Sequence, residues 1–452
     1  MRAAIPGRSS PERLARKLFA GLPHHARSTL MIRIAAVGLE FLGLLVLARL
    51  LDAHDYGAYA LAMTLVAIFA VPAALGFDRL VVREVAALQA LGDWPHAHGV
   101  LRRGFHIVLG ASAVAACATW VAGRLVLAPV DADAARALLV AAALVPLLAL
   151  ARLRQAALQG LGHVNAGLVP EFLLQPSVVI VLASVAALWP AITRSATLAV
   201  GFQLAAAVAG LLVGAWLLHR RMPPALRNAT PRYRGRAWWS AGAAFMGLVM
   251  MTTLLTNVDT ILVGRLAGNA EAGTYKVATQ LAMLVGLPLT AISVAMAPVI
   301  AALHAAGRTD ELRLQSRAAA RVITVAAATI AGAVAIGGPW ILAAFGPGFT
   351  AGYAPAMILV VAYLVHSAMA TSGYLLIMSA HEKLVMGVFA AGALLNVIGG
   401  FALIPRFGAV GAALSSAVSL CLVSVTCALF ARRRLGIDGT VFARRPRPPA
   451  CA

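Results

Sequence analysis

VITVAAATIAGAVAIGGPWILAAFGPGFTAGYAPAMILVVAYLVHSAMATSGYLLIMSA, residues 322–380, contains no Asp, Glu, Lys or Arg. About 20 residues of α-helix, each rising 1.5 Å, cross a hydrocarbon core of about 30 Å. The stretch is therefore long enough for two crossings with a turn between them, and a water-soluble fold would not tolerate it. In lipid the backbone must satisfy its own hydrogen bonds, which a helix does within itself.

The same composition extends through the chain. Of 452 residues, 61% are hydrophobic and 12% charged, where a soluble domain averages about 25% charged; the mean hydropathy is +0.88. We expect an all-α polytopic membrane protein with twelve transmembrane helices, at 29–51, 57–77, 104–128, 135–158, 165–189, 195–218, 239–264, 273–300, 319–345, 353–378, 384–404 and 409–431.

The basic residues test that topology, because cytoplasmic connections are enriched in Lys and Arg. With the N-terminus inside, 29 of the 37 basic residues fall on the cytoplasmic side and 7 on the other, with Arg33 inside the first helix. Both termini are thus predicted to be cytoplasmic. The first 27 residues carry six basic residues and no apolar core, which suggests a cytoplasmic leader rather than a cleaved signal peptide. The net charge of +21 does not point to nucleic acid, since its carriers lie between apolar segments rather than on one clustered face.

The chain divides in two. Residues 220–236, RRMPPALRNATPRYRGR, with three prolines, suggest a linker. Residues 49–72 align without gaps on 265–288 at an offset of 216, matching Arg49/Arg265, Gly57/Gly273, Tyr59/Tyr275 and Pro72/Pro288, with Asp55 opposite Glu271. An even number of helices per copy keeps the repeats parallel, as in several transporters with a cavity between halves. The expected organisation is a leader over 1–28, a six-helix lobe over 29–219, a cytoplasmic linker over 220–237, a second six-helix lobe over 238–431 and a basic tail over 432–452, the two lobes being parallel-related.

Charges at intramembrane depth are the candidates for function, each costing at least about 2.5 kcal/mol at the centre of an isolated helix. Arg33 and Glu40 share one face of the first helix about 10 Å apart, and with Lys276 they are candidate substrate-binding residues. The plainer alternatives are that Arg33 and Lys276 snorkel to the surface and that Glu40 makes a structural pair. Asp259 lies opposite Gly43 in the repeat, so the shared fold does not require it; ion coupling is expected there and at Glu171. The alternatives are an ion pair of Asp259 with Arg265 or Lys276, and a Glu171 that only reaches the nearby surface. Pro72 and Pro288, at matched positions, are candidate hinges, or plain kinks. His366 could titrate near neutral pH, or simply pack.

No P-loop, GxSxG or HExxH motif occurs, and no loop is long enough for a catalytic domain, so an enzyme is not expected. Cys117, Cys421, Cys427 and Cys451 have neither metal-ligand nor disulfide spacing; no metal or cofactor is expected.

Ala48–Tyr59 (ARLLDAHDYGAY), Val258–Tyr275 (VDTILVGRLAGNAEAGTY) running on to Pro288 and Pro298, and Ala301–Arg321 with Gly307 and Asp310-Glu311-Leu312 resemble the Wzx-like polysaccharide-biosynthesis flippases of the multidrug/oligosaccharidyl-lipid/polysaccharide exporter superfamily. The resemblance implies a V-shaped two-lobe secondary transporter. It would flip an undecaprenyl pyrophosphate-linked oligosaccharide across the bacterial inner membrane for surface polysaccharide assembly. It also implies a cationic cavity for the pyrophosphate, which suits Arg33 and Lys276. The expected partners are the lipid-linked oligosaccharide, membrane lipids and polysaccharide assembly proteins. A cation-coupled drug exporter of the same superfamily and a non-transporting membrane scaffold are the alternatives.

Overall fold

The computed structural model describes residues 24–127, 132–189, 193–233, 235–292, 296, 300, 308–369, 371–379, 381–437 and 439–441. Most of the leader, the end of the tail, Pro298 and residues 301–307 lie outside them. Among the described residues ten helices are long and apolar enough to cross a membrane. One of these, Lys383–Leu435, breaks at Gly408 (φ 55°, ψ −134°) and so crosses twice. The 32-residue helix Gly235–Leu266 adds the twelfth crossing.

We label the crossings α1 (His24–Leu50), α2 (Ala53–Ala74), α3 (Trp94–Ala122), α4 (Ala135–Gly160), α5 (Val164–Leu188), α6 (Ala196–Arg221), α7 (Gly235–Leu266), α8 (Asn269–Ile292), α9 (Thr309–Phe345), α10 (Phe349–Met369), α11 (382–407) and α12 (409–435). The leader side is where α1 begins; the far side is where it ends.

The observed boundaries depart from the expected ones for local reasons. Helix α2 stops at Ala74, where Leu75 (φ 47°) and Gly76 (φ 69°) turn left-handed. A 14-residue helix, Phe77–Ala90, then follows where the sequence suggested only a loop. It buries Phe77, Leu80, Val81, Val85 and Leu88 along one stripe and leaves Arg79 and Arg83 exposed, a helical apolar spacing too short and too charged to register as a crossing. Helix α9 likewise starts at Thr309 rather than 319, because its first turns are amphipathic.

The two halves meet mainly through α2, which packs on α7 and α8. At the far side Gly57 lies against the carbonyl of Asn269, and a β-carbon on Gly273 would stand 2.7 Å from the carbonyl oxygen of Ala53. Residues 53 and 269 are themselves related by the 216-residue offset, so each repeat glycine touches the residue four positions before its counterpart. Small residues allow such close backbone approach between membrane helices. The same end is sealed by Tyr56 edge-on to Phe349 (5.6 Å), Phe41 edge-on to Phe345 (5.4 Å) and Arg49 bonded to the carbonyl of Ala344.

The connection between halves is held on α3. Leu226 is fully buried, His98 Nδ1 meets the Ala229 carbonyl at 2.6 Å, Arg232 N–H donates to the Pro95 carbonyl at 2.9 Å, and Gly99 lies flush against the carbonyl of Arg232.

Candidate functional site

Below the far-side seal, α1, α8 and α10 enclose a cavity of about 240 Å³. From α1 come Glu40, Phe41 and Leu44; from the second half come Gln280, Met283, Tyr363 and His366. Glu40 is exposed there. Lys276, one turn before Gln280, acts electrostatically on both Glu40 and Asp259. Lys276 is thus within electrostatic range of an acid from each half. Arg33, two turns toward the leader side, lies with its guanidinium over the ring of Phe172 at 5.7 Å.

Asp259 is 4% exposed and fully engaged. It accepts from Tyr275 Oη at 2.5 Å, Ser416 Oγ at 2.8 Å and Thr260 N–H at 2.8 Å. Ser416 Oγ is also 3.3 Å from Asn396 Oδ1. Three donors are what a carboxylate deep in a membrane helix needs, and here they come from α7, α8 and α12. Sequence reasoning did not find Ser416 or Asn396, which lie far away in the chain. Tyr275 carried a signal, its repeat match with Tyr59, and Tyr59 in turn accepts from Gln203 Nε2 at 2.8 Å. His366 Nδ1 pairs with Ser424 Oγ at 2.7 Å.

Glu171 lies elsewhere, inside the first half, ion-paired with Arg154 of α4. Arg154, inside the helix expected over 135–158, is 6% exposed. Pro72 lies in the last turn of α2, where its carbonyl accepts from Leu75 N–H. Pro288 lacks the N–H that would bond Leu284, and a 3₁₀ turn over Leu284–Gly286 occurs there. Glu271 has a structural task, its Oε2 accepting from Ala409 N–H at 2.9 Å beside the Gly408 break.

A family model described as polysaccharide biosynthesis protein matches residues 25–304, and a second, MatE, matches 244–402. The chain belongs to the polysaccharide biosynthesis protein family. Among curated proteins none matches. Solved structures of similar fold include an inward-facing multidrug resistance MATE family transporter of the MOP superfamily (TM-score 0.75, 13% identity, 90% of this chain and 98% of that one). An outward-facing conformation of a MATE family transporter is also similar (0.67, 14%, 95% and 97%), as is a MOP superfamily transporter from Pyrococcus furiosus (0.67, 13%, 95% and 97%). The polysaccharide biosynthesis protein thus has the twelve-helix, two-lobe fold of MOP-superfamily transporters. The match over 25–304 includes Arg33, Glu40, Asp259 and Lys276.

Proposed function

We propose that this protein flips a lipid-linked oligosaccharide, of the undecaprenyl pyrophosphate class, across the bacterial inner membrane for surface polysaccharide assembly, as a secondary transporter without enzymatic activity. The observation that carries this reading is the family match over the α1–α8 region, whose residues line the cleft. In this orientation the leader side and both termini are cytoplasmic, the far-side seal is periplasmic, and the cleft receives its cargo from the cytoplasmic leaflet. Arg33 and Lys276 supply the cations for the pyrophosphate. Glu40 and the polar rim of the cavity face the sugar. Asp259 and Glu171 are the acids assigned to ion coupling, and Pro72 and Pro288 the bending points.

The test is complementation of a flippase-null strain. Arg33→Ala combined with Lys276→Ala should abolish it while the protein remains in the membrane; full complementation by that variant would refute the cationic-site assignment. For Asp259, an Asp259→Asn variant should lose the ion dependence of transport, and unchanged dependence would remove it from coupling.

One observation favours a second reading. The cavity wall is mostly apolar, with Phe41, Leu44, Met283 and Leu287 around the single carboxylate of Glu40, chemistry that also suits an organic cation. Efflux of cationic dyes that is lost in Glu40→Gln, with no complementation by the parent, would favour the drug exporter.

A further inference from the structure

Helix α5 is regular over Val164–Val169, widens into a π-turn over Pro170–Leu174 and resumes as an α-helix at Gln175. Two prolines weaken the helix here. Pro170 and Pro176 have no N–H, so the carbonyls of Ala166 and Phe172 lose their ordinary donors. Gln175 N–H reaches back five residues to the Pro170 carbonyl, and Ser177 Oγ serves the Leu173 carbonyl at 2.7 Å. Such turns hold one residue more than an α-turn and recur at functional sites.

Glu171 sits on the turn and holds Arg154; Gln175 follows directly. Both are pressed against α6 at two glycines one turn apart. A β-carbon on Gly214 would coincide with the Arg154 guanidinium, and one on Gly210 would lie 2.7 Å from Gln175 Nε2. The Arg154 side chain is only 5% exposed, yet its Nε and Nη1, with Glu171 Oε2 and Gln175 Nε2, have no partner among the described residues. A half-satisfied polar network in a low dielectric is costly, so another arrangement has much to gain here.

Helix α1 lies along α5 on both sides of the turn. Before it, Asn165 joins Ser28 and Thr29 at 2.6 and 2.8 Å; on it, Phe172 lies under Arg33. After it, Ile180 would be 3.7 Å from a β-carbon on Gly43. Glu40 sits between the last two contacts.

We propose that the Arg154–Glu171 pair is a latch that holds α5 in its π-turn register, and that its release shifts the far half of α5 and carries Glu40 of α1 with it. Returning the turn to α geometry rotates residues 175–188 by about 100° and moves them about 1.5 Å along the axis. The Asn165 contacts keep the leader end of α1 in place, so its displacement falls on the stretch bearing Glu40. Arg154 is a positioning residue that acts through Glu171. The latch operates whatever the cargo, so its failure is separable from failure of the flippase reading.

The test is a spin-label distance between Val114, 71% exposed on α3, and Val185, 50% exposed on the far half of α5, in full-length protein in lipid nanodiscs. Glu171→Gln and Gly214→Ala should both move that distance, in the same sense, by at least about 1.5 Å. The charge-exchanged Arg154→Glu, Glu171→Arg protein should restore it. An unmoved distance in both variants, or an exchanged pair that leaves the distance displaced, overturns the latch. Should Glu171→Gln fail to fold, Gly214→Ala decides alone, because it leaves both charges in place.

Discussion

Gly57→Ala should open the far side of this transporter without unfolding it. The added β-carbon lands on the Asn269 carbonyl, a backbone atom that cannot rotate away, so α2 and α8 must separate. Overpacking of this kind costs about 1–3 kcal/mol, and only the far-side-closed state bears it. The closed-to-open ratio should therefore fall by about 5- to 150-fold. The assay is labelling by a membrane-impermeant maleimide at Leu51→Cys, a position 4% exposed within the seal, with the natural cysteines replaced by serine. The labelling rate should rise by that factor. Gly273→Ala, whose β-carbon meets the Ala53 carbonyl at 2.7 Å, should act in the same sense. Gly38→Ala, with nothing within 4 Å, should leave the rate unchanged. An unchanged or slower rate in both seal variants would refute the reasoning.

Three further outcomes follow from single contacts. Tyr275→Phe removes one of three donors to Asp259 and should cost about 1.5–3 kcal/mol, seen as a lower melting temperature in detergent; no change would mean that the hydroxyl contributes nothing to this cluster. Glu271→Ala leaves the Ala409 N–H at the Gly408 break without its acceptor and should destabilise by about 1 kcal/mol, whereas Glu271→Gln should recover part of that in the same melt. Gly99→Val should push the Arg232 carbonyl off α3, making the connection cleavable by trypsin after Arg227 while the parent resists; equal cleavage of the two proteins would show that the strap is not held there.

Much of the fold was legible because membrane helices declare themselves locally. A run such as 322–380 has no alternative in lipid but to become helix, and the charge of its connections orders the crossings. The internal repeat was legible too, and the contacts of Gly57 and Gly273 give its matched glycines a physical meaning: they are where two backbones meet. The helix Phe77–Ala90 was not, because a 14-residue amphipathic segment has neither the length nor the composition of a crossing.

The site divides along the same line. Sequence alone placed Arg33, Glu40, Asp259 and Lys276 within apolar runs, where an ionisable residue has an unavoidable desolvation cost. Only the tertiary structure decided their company. It set Glu40 in a cavity shared with the second half, gave Asp259 the hydroxyls of Tyr275 and Ser416, and paired Glu171 with an arginine of another helix. The reason is that a buried charge fixes the need for a partner but not which partner, and residues over 150 positions apart, as Asp259 and Ser416 are, are matched by helix packing and not by any spacing along the chain.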